Sequence, residues 1–493
     1  MWPALQGRLL IARNPGASKV FCRSYCQAAK RDTIFALSSG QGKCGVAVIR
    51  TSGPASSMAL AHLTRAEVPP PRVATLRRIC DPRSAETLDR GLVLWFPGPG
   101  SFTGEDSAEF HVHGGPAVVS GVLKALGCLP LLRLAEPGEF TKRAFQNGKL
   151  DLTAAEGLGD LIHAETESQR RQALRQMEGD LGRLYQRWSD TLTKALAHLE
   201  AYIDFSEDDN IEEGVLAQVE EAVEALEKEL REHMQDSRRG ERLRDGVRVV
   251  IAGPTNAGKS SLLNHLCQKP AAIVSPIAGT TRDVVEAALN IGGFPVVLSD
   301  TAGLRDTSDV VEMEGVNRAR QRVEGADLVL AILDAAEMAQ KPNQLVPALL
   351  DILDYPKGTQ PYFLVLNKMD LLGDEERADL LANCADSDLA PTCFLSCKTG
   401  EGIATFLSTL GKQLAHMCGD PLTGSPSPTQ ARHQLSLAKC LEALGGFGHY
   451  RSVDLALAAE ELRQARRLLG RLTGQVGSEE ILELIFKDFC IGK

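Results

Sequence analysis

A chain of 493 residues is too long for a single hydrophobic core, and its length suggests roughly three domains. Hydrophobic residues make up 43%, ample for burial, yet no run of 18 apolar residues occurs, so no membrane span is expected. A formal net charge of −10 excludes bulk attraction to nucleic acid, so any RNA contact needs a local basic patch or a partner.

Residues 1–31 differ in kind from the rest. Arg8, Arg13, Lys19, Arg23, Lys30 and Arg31 are basic and the first acid is Asp32, the composition of a mitochondrial transit peptide. Leu9 to Ala12 is too short for a secretory apolar segment. Removing these six cations, with no acid among them, takes the net charge from −10 to −16. The 12 cysteines form no C-x₂-C pairs at zinc spacing, which fits reduced thiols rather than a disulfide framework.

Residues 32–150 read as a small α/β domain. Thr33 to Leu37, Gly45 to Arg50 and Gly91 to Phe96 are strand-like runs between Gly, Ser and Pro punctuation, and Ala117 to Leu126 reads as a helix. Strand alternation puts His111 and His113 on one face beside Glu109. No further His or Cys follows at ligand spacing, so polar strand positions explain them better than a metal site.

Over 151–240 the apolar period lengthens. Leu158, Leu161, Ile162, Leu174, Leu181, Leu184, Trp188, Leu192, Leu196 and Leu199 recur three or four apart, as do Val215, Val219, Val223, Leu226 and Leu230, the pattern of long amphipathic helices.

Residues 241–415 carry the nucleotide chemistry. The apolar run from Val247 to Ile251 empties into Gly253-x-x-x-x-Gly258-Lys259-Ser260, a phosphate-binding loop. Its backbone N–H groups at Asn256, Ala257, Gly258, Ser260 and Ser261 converge on phosphates, Lys259 neutralises β/γ charge, and the Ser260 hydroxyl suits Mg²⁺. Thr280 and Thr281 then offer a metal- and γ-phosphate-side threonine. Asp300-Thr-Ala-Gly303 offers a metal-side carboxylate and a γ-phosphate N–H. Asn367-Lys368-Met-Asp370 supplies a carboxylate that accepts two hydrogen bonds from guanine and none from adenine, and Ser396-Cys397-Lys398 completes the base pocket. Five such stretches in order specify a GTP hydrolase. Leu304 stands where a Ras-like enzyme places its water-orienting glutamine, so a nearby acid (Asp306, Asp309, Glu312 or Glu314) must take that work, and no arginine finger is evident.

Residues 416–493 open on a Gly- and Pro-rich linker and return to helix, through Leu435 to Leu444, Leu455 to Leu472 and a last helix after Ser478. The two helical stretches are expected to pack as one bundle with the nucleotide domain inserted. The basic stripe Arg463, Arg466, Arg467 and Arg471 reads equally as a tRNA contact or a solvated helix face.

With these motifs the chain resembles the MnmE/TrmE family of tRNA-modification GTPases, in its mitochondrial form. The likeness rests further on Asp32-Thr-Ile34, Val48 to Gly53, Phe102-Thr-Gly-Glu-Asp106 with His113-Gly-Gly115, Pro137 to Leu152, and the terminal Cys490-Ile-Gly-Lys493. The resemblance implies an N-terminal α/β folate-binding and dimerising domain, a split helical bundle and an inserted P-loop (Ras-like) G domain. It implies K⁺ in place of the arginine finger, held by Asn256, Ser275, Ile277 and Thr280, with Ser260 and Thr281 on Mg²⁺ and Glu312 as the catalytic glutamate. Arg50, Glu109, Lys149 and Lys493 match the folate contacts, for 5-formyl- or 5,10-methylene-tetrahydrofolate, and Cys490 is a candidate catalytic residue. Two departures stand out: Pro254-Thr255 precedes Asn256 where the family has Gly-x-Pro-Asn, and Ser38 to Lys43 lacks the family's Pro- and Gly-rich turn.

The implied reaction is modification of carbon 5 of the tRNA wobble uridine by a homodimer acting with an MnmG-type FAD protein in the mitochondrial matrix, giving a taurinomethyl group. An Era- or EngA-like ribosome-assembly GTPase is the alternative; Gly474-x-x-Gly477 has the spacing of a KH loop but lies in a helical pattern. A folate-binding scaffold whose G domain only switches partners is a third reading.

Overall fold

A computed structural model of the chain describes residues 32–205, 214–235, 237–267, 286–300, 323, 325–353, 361–386, 391–420, 426–476, 485, 486, 489 and 492. The chain divides into two compact units, Met1–Lys149 with Phe486–Lys493, and Leu150–Ile485.

The first unit contains β1 (Thr33–Leu37), β2 (Cys44–Ser52), α1 (Ser56–Thr64), β3 (Thr75–Cys80), β4 (Thr87–Phe96), β5 (Ser107–Gly114), α2 (Pro116–Gly127), β6 (Leu132–Leu134) and α3 (Glu139–Gln146). Its sheet runs β3-β4-β5-β2-β1-β6, antiparallel except for the β1/β6 pair. The strand period of two divides the sheet by face. Ile49 pairs with Phe110 and both are fully buried in a core with Leu60, Leu63, Val122 and Leu126 of α1 and α2. Their neighbours Arg50 and Glu109 pair on the other face.

The sequence reading groups 416–493 with the helical part; by contacts Phe486, Phe489 and Gly492 are buried in the first unit. Gly138 and Gly492 make this fit. A Cβ on Gly138 would lie 2.4 Å from the Phe486 carbonyl oxygen, and one on Gly492 would lie 2.1 Å from that of Leu37. Ser38 Oγ then donates to the Gly492 carbonyl at 3.0 Å. The helix expected after Ser478 lies largely outside the described residues.

The second unit opens with α4 (Leu152–His163), α5 (Glu167–Met177), α6 (Asp180–Phe205), α7 (Val215–Gln235) and α8 (Ser237–Asp245). Asp151 caps α4 by accepting from Ala154 N, and Thr166 and Gln169 form a capping box at α5. The next sheet comprises β7 (Val247–Ala252), β8 (Glu286–Ile291), β9 (Phe294–Asp300), β10 (Leu328–Asp334), β11 (Tyr362–Asn367) and β12 (Thr392–Phe394). Around it lie α9 (Lys259–Cys267), α10 (Ala335–Gln340), α11 (Leu345–Leu353), α12 (Asp374–Asp386) and α13 (Ile403–Cys418), and the chain continues through α14 (Ala431–Tyr450) and α15 (Leu455–Thr473).

The sheet order is β12-β11-β10-β7-β9-β8, parallel except for the edge strand β8. Apolar cores on both faces explain why β10 and β11 are near-continuous apolar runs rather than alternating ones, as is β7 from Val249 on, past exposed Arg248 at its start. The chain leaves β7 for one side of the sheet and crosses to the other at β10. Ligands of such sheets bind at this switch point, beyond the carboxyl ends of the strands.

Helices α6, α7, α14 and α15 share one core built on Leu192, Leu199, Leu226, Leu230, Leu444, Phe447, Leu462 and Leu469. Beside it lies a buried polar cluster. Arg432 donates to both oxygens of Glu156, with Nη2 at 2.7 Å, and His433 Nε2 is 2.9 Å from Glu156. Burial would raise the Glu156 pKa, but His433 and Arg432 outweigh it and hold the carboxyl at about 2. Burial also favours neutral His433 against the pull of Glu156, so the imidazole serves as an Nε2–H donor.

One turn along α4, Asp160 accepts from Arg244 of α8 at 2.9 Å, and burial raises its pKa despite that partner. Gln169 Nε2 donates to the Arg244 carbonyl at 2.9 Å, and Ser168 Oγ donates to that of Gly293 at 2.8 Å, so the start of α5 is tied to the β8–β9 turn.

Candidate functional site

At the end of β7 the loop 253–258 turns tightly into α9. Gly253 is forced by close approach, since a Cβ there would lie 2.1 Å from the Ile332 carbonyl oxygen of β10. Gly258, at φ 102°, leaves room for Asn367, whose Nδ2 would be 2.0 Å from an added Cβ. Lys259 Nζ donates to the carbonyls of Gly253 at 2.8 Å and Pro254 at 2.9 Å, which holds the ammonium over the loop. Ser260 and Ser261 occupy the first turn of α9, where the helix dipole favours an anion. Asn256 is exposed and adopts a left-handed φ of 64°, a conformation that asparagine tolerates better than most residues.

The base side is built at the ends of β11 and β12. Asn367 is buried and bridges two loops: its Nδ2 donates to the Ala257 carbonyl at 2.8 Å, and its Oδ1 accepts from Cys397 N at 3.1 Å. Ser396 Oγ donates to Asp370 Oδ1 at 2.6 Å and accepts from the backbone N–H groups of Lys398 and Thr399. The Ser396 hydrogen bond, with Lys398 and Arg377 nearby, holds the Asp370 carboxyl below its usual range, so it is an acceptor at neutral pH. Burial pushes the Cys397 thiol up to about 11, which leaves it protonated.

Asp334 is a positioning residue that the motifs alone do not reveal. Its Oδ2 accepts from Lys368 Nζ at 2.7 Å, while its Oδ1 caps α10 through Ala336 N. The signal in sequence was the acid closing the apolar run Leu328 to Leu333 before Ala-Ala-Glu, a helix-start pattern.

Thus the described residues bring Asn256, Ala257, Gly258, Lys259, Ser260 and Ser261 together with Asn367, Lys368, Asp370, Ser396, Cys397 and Lys398 at one end of the sheet. Asp300 closes β9 beside Ile251 of β7. Thr280, Thr281, Gly303, Leu304, Glu312, Ser275 and Ile277 lie outside the described residues.

In the first unit, Arg50 Nε and Nη2 donate to Glu109 Oε1 at 3.0 and 2.9 Å, and His111 Nε2 lies 3.2 Å from the other oxygen. The Arg50 guanidinium sits 5.5 Å from the Phe102 ring centroid. Lys149 Nζ donates to the Pro99 carbonyl at 2.9 Å, so Arg50 and Lys149 both reach the 97–106 loop, and Glu109 joins them through Arg50. Cys490 and Lys493 lie outside the described residues. His113, on the same face of β5, pairs instead with Asp89 of β4 at 2.9 Å. Sequence reading missed buried Arg143, which donates to Glu105, Glu139 and the Asp32 carbonyl and so braces the same loop against α3.

The arginine stripe of α15 is partly neutralised: Arg463 pairs with Glu200 and Glu460, and Arg467 with Glu460. Gly474 is the left-handed C-cap of that helix, and Gly477 lies outside the described residues.

Two family profiles match the chain, one described as "GTP-binding protein TrmE N-terminus" over residues 33–149 and one as "MnmE helical domain" over residues 152–490. A zebrafish (Danio rerio) protein named "5-taurinomethyluridine-[tRNA] synthase subunit GTPB3, mitochondrial" is 59% identical over 98% of this chain and 97% of its own. The Homo sapiens protein of the same name is 61% identical over 94% and 93%. The "tRNA modification GTPase MnmE" of Parvibaculum lavamentivorans is 49% identical over 94% of this chain and all of its own.

Proposed function

Because the chain belongs to the MnmE/TrmE family of tRNA-modification GTPases, we propose that it hydrolyses GTP to drive modification of carbon 5 of the wobble uridine in mitochondrial tRNA, with a taurinomethyl group as the product. The observation that carries this is identity spread over nearly the whole length of relatives so named; the hydrogen-bonded group of Asn367, Asp370, Ser396 and Cys397 supports reading a guanine pocket there. The G domain is read as inserted, since α6 and α7 precede it, α14 and α15 follow it, and all four share one core.

In the reaction, Asp370 selects guanine, and Asn367 keeps the phosphate loop and the Cys397 segment in register. Lys259 and the N-terminus of α9 take the phosphate charge. Ser260 and Thr281 would hold Mg²⁺, which when bound would neutralise phosphate charge. Leu304 has no hydrogen-bonding group, so water positioning is assigned to Glu312. For K⁺, exposed Asn256 with its left-handed backbone fits a ligand role beside the phosphates, joined by Ser275, Ile277 and Thr280.

Arg50, Glu109, Lys149 and Lys493 are assigned to a tetrahydrofolate one-carbon donor, 5-formyl or 5,10-methylene. A guanidinium stacked on Phe102 and a neighbouring carboxylate, each side chain about a fifth exposed (20% and 17%), suit a molecule with both carboxylates and a pterin edge. Cys490 is a candidate for the uridine chemistry. The partners proposed are an MnmG-type FAD protein, tRNA and a second copy of the chain, in the mitochondrial matrix.

GTP turnover is expected to be at least tenfold faster in KCl than in NaCl at equal ionic strength, a loss of about 1.4 kcal/mol or more in transition-state stabilisation without K⁺. Equal rates in the two salts would contradict the cation assignment. Glu312→Ala should keep GTP affinity and lose turnover; normal turnover in that variant would remove Glu312 from the mechanism.

A further inference from the structure

The basic groups of the second unit are not equivalent. Arg451, Arg463 and Arg467 are bound to glutamates, and so are Arg187 and Arg231. In a strongly acidic protein such pairs leave little positive charge for a polyanion. The helix α8, S-R-R-G-E-R-L-R-D, carries four arginines, of which Arg242 pairs with Asp327 and Arg244 with Asp160, and it borders a polar pocket of about 310 Å³ with Arg238, Arg242 and Arg248 in its wall.

Of the pocket's three acids, Asp327 and Asp245 lie against arginines, while Glu241 bonds only a neutral amide and keeps its charge. Asp327 accepts from Arg242 Nε at 2.8 Å and from the Arg248 backbone N–H at 3.0 Å, Glu241 accepts from Gln434, and Asp245 lies 3.5 Å from Arg244. Arg238 and Arg248 are both exposed, and among the described residues no carboxylate pairs with either guanidinium. The pocket lies where β7 and β10 begin, whereas the guanine pocket lies where those parallel strands end. A ligand here therefore leaves the nucleotide site clear.

We propose that Arg238 and Arg248 bind the phosphodiester backbone of RNA, as the tRNA-holding patch of the second unit; this rests on the tRNA reading above. Two exposed guanidiniums in one polar concavity, with no carboxylate partner among the described residues, fit phosphate oxygens, which accept fork-like hydrogen bonds. Arg242, fixed by Asp327, adds field without competing for the ligand. Such contacts hold and orient the nucleic acid and carry no base preference.

The test uses the full chain and a fluorescent, unmodified mitochondrial tRNA transcript, with affinity followed by anisotropy between about 50 and 200 mM KCl. Arg238→Glu/Arg248→Glu should weaken binding about tenfold and flatten the plot of log affinity against log salt by about 1 to 2, with GTP turnover unchanged. Should the charge reversal unfold the protein, Arg238→Gln/Arg248→Gln should give the same change of slope at about half the loss of affinity on a logarithmic scale. Wild-type protein that does not hold tRNA at low salt would overturn the tRNA reading itself. Wild type that binds, with variants matching it in affinity and slope, would overturn only the pocket. Loss of the complex with the flavoprotein at unchanged tRNA affinity would make the pocket a protein-docking surface and also overturn it.

Discussion

Asp370→Asn is expected to weaken GTP binding by about a thousandfold and to shift preference to XTP, read by competition against a fluorescent guanine nucleotide. The carboxylate is held ionised by Ser396 and is an acceptor only, matching the two adjacent donors of guanine. Asparagine turns one acceptor into an N–H donor that meets the guanine amino group, while xanthine carries a carbonyl at that place. Two charge-assisted hydrogen bonds at about 1.5–3 kcal/mol each account for the size of the effect. Asn367 and Ser396 remain, so the loops keep their register and the loss falls on base choice. GTP affinity within threefold of wild type would remove Asp370 from the base pocket.

The second large effect concerns stability. Glu156→Ala should destabilise the second unit by about 3–5 kcal/mol in urea unfolding followed by far-UV circular dichroism, because Arg432 is left as an uncompensated charge beside a buried imidazole. Replacing Glu156, Arg432 and His433 together by leucine should cost much less, since the charge to be compensated is gone. An equal loss in both would show that packing, not charge, is what the cluster supplies.

The pH dependence has a defined sign. Glu156 titrates near 2 in the folded chain against 4.5 as a free side chain, so its contribution is complete above 4.5 and is lost as pH falls toward 2. His433 is held below 6.5, so the unfolded chain takes up that proton first and acid again favours unfolding. Stability should therefore fall from about pH 6.5 downward, most steeply between 4.5 and 2, and Glu156→Gln should flatten the lower limb.

Much of the second unit was legible because its signals are local. Phe363 to Leu366 and Thr392 to Leu395 are largely apolar runs packed on both faces, and Val247 to Ile251 is another, broken only by exposed Arg248; each ends in a loop whose residue types suit one phosphate or base contact. In the first unit, β3 was missed because Thr-Leu-Arg-Arg-Ile-Cys exposes Leu76 and buries Ile79 and Cys80, which breaks the alternation. The three-residue edge strand β6 is too short to carry a period.

Long-range contacts were hidden for another reason. The seat of Phe486 on Gly138, the Lys368 pair with Asp334 and the bracing of Glu105 by Arg143 join residues whose local sequence does not mark them as partners. Here a glycine, an aspartate or a buried arginine is defined by what approaches it.

The coupling of GTP turnover to tRNA modification is tested most directly by nucleoside mass spectrometry of mitochondrial tRNA from cells lacking this chain and re-expressing either wild type or Lys259→Ala. Wild type should restore 5-taurinomethyluridine at the wobble position, and Lys259→Ala, made to the same level, should not. Unchanged wobble uridines in the cells lacking the chain, or full restoration by Lys259→Ala, would contradict it.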